Sequence, residues 1–311
     1  MNRTIRYLTR FLLPLLLLAA GPALAYTPVA EKVSGNVYAI VGPLDQRSPE
    51  NNGLNNNLGF IVTDEGVILI DSGASKLGAQ QLEAAIARVT SQPVKWVINL
   101  GSQDHRWLGN AHFAGQGAEI IALARTAQTQ ERFVDRHMQT LERFLGERLA
   151  GTEPLPATTR IEGDTVTLTF GGVELVLSYT DAHFPGDAML WIPGEKTVFT
   201  GDLVYVDRLL SVHDWSDMQK AQAAFKAMEA LAPEHVVPGH GHVTDLATAR
   251  RDTGDYYDFL VDVVGAAARE MESMADVIAR HAEHPDFRHL EHFDALHRAN
   301  MNRTYLQFEA M

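Results

Sequence analysis

Apolar positions follow two rhythms along this chain. Short runs rich in β-branched and other apolar residues occur at 37–41, 58–63, 67–70, 94–99 and 118–123, bounded by turn signals such as Asp64-Glu65-Gly66 and Asp71-Ser72-Gly73. Between the third and fourth of these, Leu77, Leu82, Ala85, Ile86 and Val89 recur at helical spacing, which predicts a helix over about 76–89 and a strand–helix–strand crossover. A polar segment, 101–110, separates two strands, and a helix runs from 124 to about 149. The pattern then repeats in kind. Strands are predicted at 165–169, 173–179, 188–192 and 197–200, a helix at 217–231 and a last strand at 235–238, after which the chain is largely helical from 245 to 311, with apolar stripes over 258–280 and 290–308. Two β-rich halves flanked by helices imply a two-sheet sandwich covered on both faces.

The chain ends and the composition narrow this picture. Arg3, Arg6 and Arg10 precede an apolar run that starts at Phe11, and Ala23-Leu24-Ala25 offers a small-residue cleavage site, so residues 1–25 read as a secretory signal cleaved after Ala25. The run is shorter than the roughly 20 apolar residues of a membrane span, and Pro14 and Pro22 interrupt it, so no stable membrane insertion is expected after cleavage. The mature protein is then periplasmic or secreted. The formal net charge of −13, which becomes three units more negative without those arginines, argues against nucleic acid as a partner. The chain has no cysteine, so any metal must take His, carboxylate or water ligands. Apolar residues make up 46% and charged residues 21%, which excludes a disordered chain.

Three polar clusters follow predicted strands directly, where a sandwich presents side chains to a shared edge cleft: 181–187, Thr200-Gly201-Asp202, and Pro238-Gly239-His240-Gly241-His242. A lone His183 or His240 is more often a capping histidine than a ligand, and Asp202 after glycine could simply cap a turn. Their order raises their weight. Asp71-Ser72-Gly73, Ala182-His183-Phe184-Pro185-Gly186-Asp187, Phe199-Thr200-Gly201-Asp202-Leu203 and Val237-Pro238-Gly239-His240-Gly241 resemble successive motifs of the metallo-β-lactamase superfamily. Ser48-Pro49-Glu50-Asn51 with Leu58-Gly59-Phe60-Ile61 is similar to the periplasmic branch found beside sulfur-oxidation and quinoprotein systems. The resemblance implies a four-layer αββα sandwich of class α+β over 26–265, with 266–311 a helical extension that packs on it or forms a homodimer contact. It also implies His183 and His240 as metal ligands, Asp202 as a bridging carboxylate and Asp71 as support behind the site.

The first metal motif departs from the family. The pattern N-T-H-x-H-x-D-H-x-x-G-N falls without gaps on 99–110, where Asn99, Gly109 and Asn110 fit. Gly101 and Gln103 stand for the leading histidines, His105 for the aspartate and Arg106 for the last histidine. A two-metal clamp on a bridging hydroxide is therefore not expected. His105, His183, Asp202 and His240 could surround one zinc or iron ion, with Asp104 a further carboxylate if the loop shifts by one residue. On that reading the protein is a hydrolase-like enzyme for an ester, thioester, lactam or similar acyl bond, Asp202 binds the metal or orients water, and Arg106 receives an anionic group of a small-molecule substrate. The alternative is a non-catalytic protein for a small anion or a partner. Arg106 then replaces the metal's charge by pairing with Asp202, leaving no need for an ion. Destruction of β-lactams ranks last, because the histidine pair is missing.

Overall fold

The computed structural model describes residues 26–311; the expected leader lies outside them. Strands β1 (Ala30–Ser34), β2 (Val37–Ile40), β3 (Leu58–Val62), β4 (Val67–Ile70), β5 (Val94–Asn99), β6 (Glu119–Leu123) and β7 (Thr159–Ile161) form one sheet in that order. Its first four strands are antiparallel and the rest parallel, because α1 (Lys76–Ala87) makes the crossover from β4 to β5. The second sheet runs β12-β11-β10-β9-β8, from β8 (Thr165–Phe170), β9 (Val173–Tyr179), β10 (Ala188–Ile192), β11 (Thr197–Phe199) and β12 (His235–Val237).

Period-two alternation sorts the core into layers. Ile68 and Ile70 of β4 join Ile98, Ile121, Leu177, Leu190 and Phe199 in the layer between the sheets. Val67 and Leu69 of the same strand face outward, onto Leu82 and Ile86 of α1 and Phe113. On the far side, α5 (Met218–Ala230) and the C-terminal helices cover the second sheet in one continuous cluster that includes Val198, Phe225, Tyr257, Leu260, Met301 and Phe308. The result is a mixed α+β sandwich of two sheets between helical layers, with a helical C-terminal region. Among the described residues no helix is long and apolar enough to cross a membrane.

The structure adds detail that hydrophobic patterning misses. Edge strands β1 and β7 are short and part exposed, so they carry little apolar signal. The polar segment expected between β5 and β6 coils into two short helices, α2 (Asp104–Trp107) and α3 (Asn110–Ala114). The helix expected over 258–280 ends near Arg269 and restarts at Met274. Two π-helical turns, Arg250–Gly254 and Phe259–Val264, interrupt the run before that break. The first of them carries Thr253, whose hydroxyl accepts from the Tyr205 N–H at 3.0 Å and donates to the Tyr205 carbonyl, tying the helical cover to the site.

Candidate functional site

Asp202 lies at the centre of the site, just after β11, and is 1% exposed. A buried carboxylate needs partners on every lone pair. Arg106 of α2 supplies a fork: Nε donates to Oδ2 at 3.1 Å and Nη2 to Oδ1 at 2.6 Å. Its remaining nitrogen, Nη1, donates to Asp71 Oδ2 at 2.6 Å. Asp71 ends β4 in a left-handed conformation (φ 59°) that aspartate tolerates, and its other oxygen accepts the Leu100 N–H at 2.8 Å. Arg106 is thus a fully buried cation clasped by two carboxylates, which hold its pKa well above the ordinary value against the cost of burial. It has no free face for a substrate anion.

Histidines occupy the other side of Asp202. His105 Nε2 lies 3.1 Å from Oδ2 and His240 Nε2 lies 3.4 Å from Oδ1. Each of these three residues offers one ligand atom within 4.8 Å of the other two, and together they form the one group of three or more His or carboxylate side chains among the described residues that could hold a metal. Donors about 2.0–2.2 Å from an ion in tetrahedral array sit about 3.3–3.6 Å from one another, so the group would draw closer around one small divalent ion. The buried Nδ1 of His240 has no partner in the protein. His105 Nδ1 is 3.2 Å from Asp104 Oδ1, the carboxylate–histidine pairing that orients a ligating imidazole. Arg47 Nη2 lies 2.5 Å from both Asp104 Oδ1 and His105 Nδ1, and against the penalty of burial it holds Asp104 ionised.

Gly101 and Gln103 bring no imidazole, and a Cβ added to Gly101 would lie 2.7 Å from Arg106 Cδ and 3.0 Å from Asp187 Oδ1. The Arg106 side chain therefore runs through the space that a side chain at 101 would enter. Gly239 serves a similar need for close approach, since a Cβ there would meet the Gly201 carbonyl oxygen at 2.4 Å and Asp202 Oδ1 at 2.8 Å.

The remaining expected residues take different places. His183, 3% exposed, stands outside the three-ligand group; its Nε2 is 3.4 Å from the Tyr205 hydroxyl and its ring packs edge-on against His213. Tyr205 stacks on His240 at 4.7 Å. The segment 51–57, in which Asn51, Asn52, Asn55, Asn56 and Asn57 cluster, is held by its own side-chain amides. Asn57 accepts the Gly42 N–H at 3.1 Å and donates to the carbonyls of Pro238 and Gly241 at 2.9 and 2.6 Å, bracing the turn that carries His240. Sequence reasoning missed Asn57, Tyr205, Arg47 and Arg208. The available signal was position: Arg47 is the cation at the mouth of the polar loop, and Tyr205 and Arg208 follow Asp202 on the same strand-end segment.

Burial sets a pH dependence next to this site. His137, on α4 (Ala124–Leu145), is buried, and desolvation lowers its pKa from 6.5 to about 4. The unfolded chain takes up that proton first as pH falls, so stability held above about pH 6.5 erodes between there and about pH 4. His240, lowered to about 4 by burial, adds in the same direction. Melting curves at pH 7 and pH 5 should separate less for His137→Gln than for the wild type; equal separation would contradict the assignment.

The model of the metallo-β-lactamase superfamily matches residues 116–240. Comparison with curated proteins finds no match. Among solved structures the chain is similar to a metallo-β-lactamase from Pontibacter korlensis (TM-score 0.56, 20% identity, 71% of this chain and 95% of that one). It is also similar to the DIM-1 metallo-β-lactamase (TM-score 0.57, 17% identity, 75% and 98%). A double mutant of the sec-alkyl sulfatase PisA1 aligns over 90% of this chain at a TM-score of 0.71 and 14% identity, this chain spanning 50% of that protein. These likenesses establish the metallo-β-lactamase fold. With the family model they support the superfamily that the motifs suggested, one that includes metal-dependent hydrolases.

Proposed function

We propose that the chain is a periplasmic hydrolase that works with one metal ion, zinc or iron, held by His105, Asp202 and His240, and that it cleaves an ester, thioester, lactam or similar acyl bond. The supporting observation is the convergence of two imidazole nitrogens and one carboxylate, all buried, beside a polar cavity. Bound there, the ion supplies Lewis-acid polarisation and water activation. The protein's own groups prepare the site. Arg106 keeps Asp202 ionised and fixed in rotation, and Asp104 orients the His105 ring. Tyr205, whose pKa burial pushes well up, keeps its proton and offers a hydrogen bond to a substrate oxygen. His183, depressed by burial, is a neutral wall of the cavity next to that phenol. Metal analysis after zinc or iron loading and desalting tests this reading. About one ion per chain is expected, lost in His240→Ala; less than about 0.1 per chain in the wild type would sink it.

One observation favours a second reading. Arg106, His105 and His240 together satisfy both oxygens of Asp202 without any ion. A protein that binds a small anion and carries no metal is consistent with that closed arrangement.

A further inference from the structure

A cavity of about 110 Å³ opens beside His105 and His240, lined also by Arg47, Arg208, Asn55 and Tyr205. Substrate-sized sites run ~300–1,000 Å³, so this space takes a group of a few non-hydrogen atoms. Its lining is unusual in charge. Arg208 is 5% exposed and lies within 4.0 Å of no carboxylate among the described residues. Among the described residues its partners are one hydrogen bond, from Nη1 to the Leu44 carbonyl at 2.9 Å, and a ring contact with Tyr205 at 5.9 Å; its buried Nε has none. A desolvated cation without a counter-charge is costly, because the protein replaces neither its water nor its anion. Arg47 adds a second guanidinium, its Nη2 paired with Asp104 and its buried Nε without a partner among the described residues. This concentration of positive charge runs against the net charge of −13.

We infer that this cavity is a receptor for a compact oxyanion, held by Arg208 and Arg47 next to the His105–Asp202–His240 group. Forked guanidinium donors match both planar carboxylates and tetrahedral sulfuryl or phosphoryl groups. The site takes the role that the sequence assigned to Arg106, whose donors are already spent on Asp71 and Asp202. It rests on the cavity and not on a metal, so the metal content of the protein before stripping separates its failure from that of the hydrolase reading.

The test titrates acetate, inorganic sulfate and inorganic phosphate into metal-stripped protein, at ionic strength matched with sodium chloride, and reads melting temperature and binding heat. At least one anion is expected to bind saturably and raise the melting temperature. Preference for acetate assigns a carboxylate, and preference for sulfate or phosphate a tetrahedral ester. Arg208→Met should weaken that binding at least tenfold, while in chloride alone its melting temperature stays equal to or above the wild type, since it removes an unpaired buried charge. Arg288→Gln, at a half-exposed arginine far along the chain, should bind as the wild type does. No saturable binding of any of the three anions, or equal binding by Arg208→Met, overturns the inference.

Discussion

Arg106→Ala should be the most damaging single substitution near the site, costing about 3–5 kcal/mol, the range for removing one partner of a buried ion pair. In a domain of this size that is a fall on the order of 10 °C in melting temperature. The loss exceeds that of the hydrogen bonds themselves. Asp202 and Asp71 are both within 1% of full burial, and without the guanidinium each keeps a buried carboxylate with fewer donors. Arg106→Lys should recover only part of the loss, because an ammonium cannot present a fork to Asp202 and a third donor to Asp71 together. The surface pair Arg160–Glu131 is the control: both side chains are at least 40% exposed, and Arg160→Ala should cost under about 1 kcal/mol. Chemical denaturation of the three variants checks this. An Arg106→Ala cost as small as that of Arg160→Ala would mean that the carboxylates find other partners and that Arg106 does not organise the site.

Hydrophobic rhythm made most of the sandwich legible, because a strand buried on both faces, such as Val67–Ile70, leaves a continuous apolar signature whatever it packs against. The motif turns were legible for a related reason: Gly201, Gly239 and Gly241 are required by close backbone approach, so the positions around Asp202 and His240 are marked locally. The partners of those residues were not. Arg47 and Arg208 are ordinary cations in sequence, and only the fold brings them, across 160 intervening positions, to one cavity. His183 was drawn into the metal set by its motif, while the structure turns its Nε2 toward Tyr205, a contact that no spacing rule encodes. Nor does any spacing rule place His297, whose Nε2 donates to the His281 carbonyl at 2.9 Å and whose Nδ1 lies 3.0 Å from the Tyr256 hydroxyl, amid Phe259 and Phe293.

Placing a side chain at position 101, where the motif resemblance expects a histidine, should fail in the wild-type background and succeed better once Arg106 is gone. Gly101→Ala is the smallest probe. Its Cβ would sit 2.7 Å from Arg106 Cδ, and that side chain cannot swing aside without surrendering three hydrogen bonds, so the substitution should cost about 1–3 kcal/mol as overpacking. In an Arg106→His background the closest of these contacts is relieved, leaving the 3.0 Å approach to Asp187 Oδ1, and Gly101→Ala and Gly101→His should both cost less than they do alone. The double-mutant cycle therefore predicts a favourable coupling of about 1 kcal/mol or more between positions 101 and 106, the signature of residues sharing one volume. Independent, additive costs would show that the glycine and the arginine arose for separate reasons. Coupling of the expected sign means that the missing side chain at 101 is what leaves room for the cation at 106. Gly101 and Arg106 then act as one physical unit, in which a fixed guanidinium braces Asp202 where a side chain at 101 would otherwise stand.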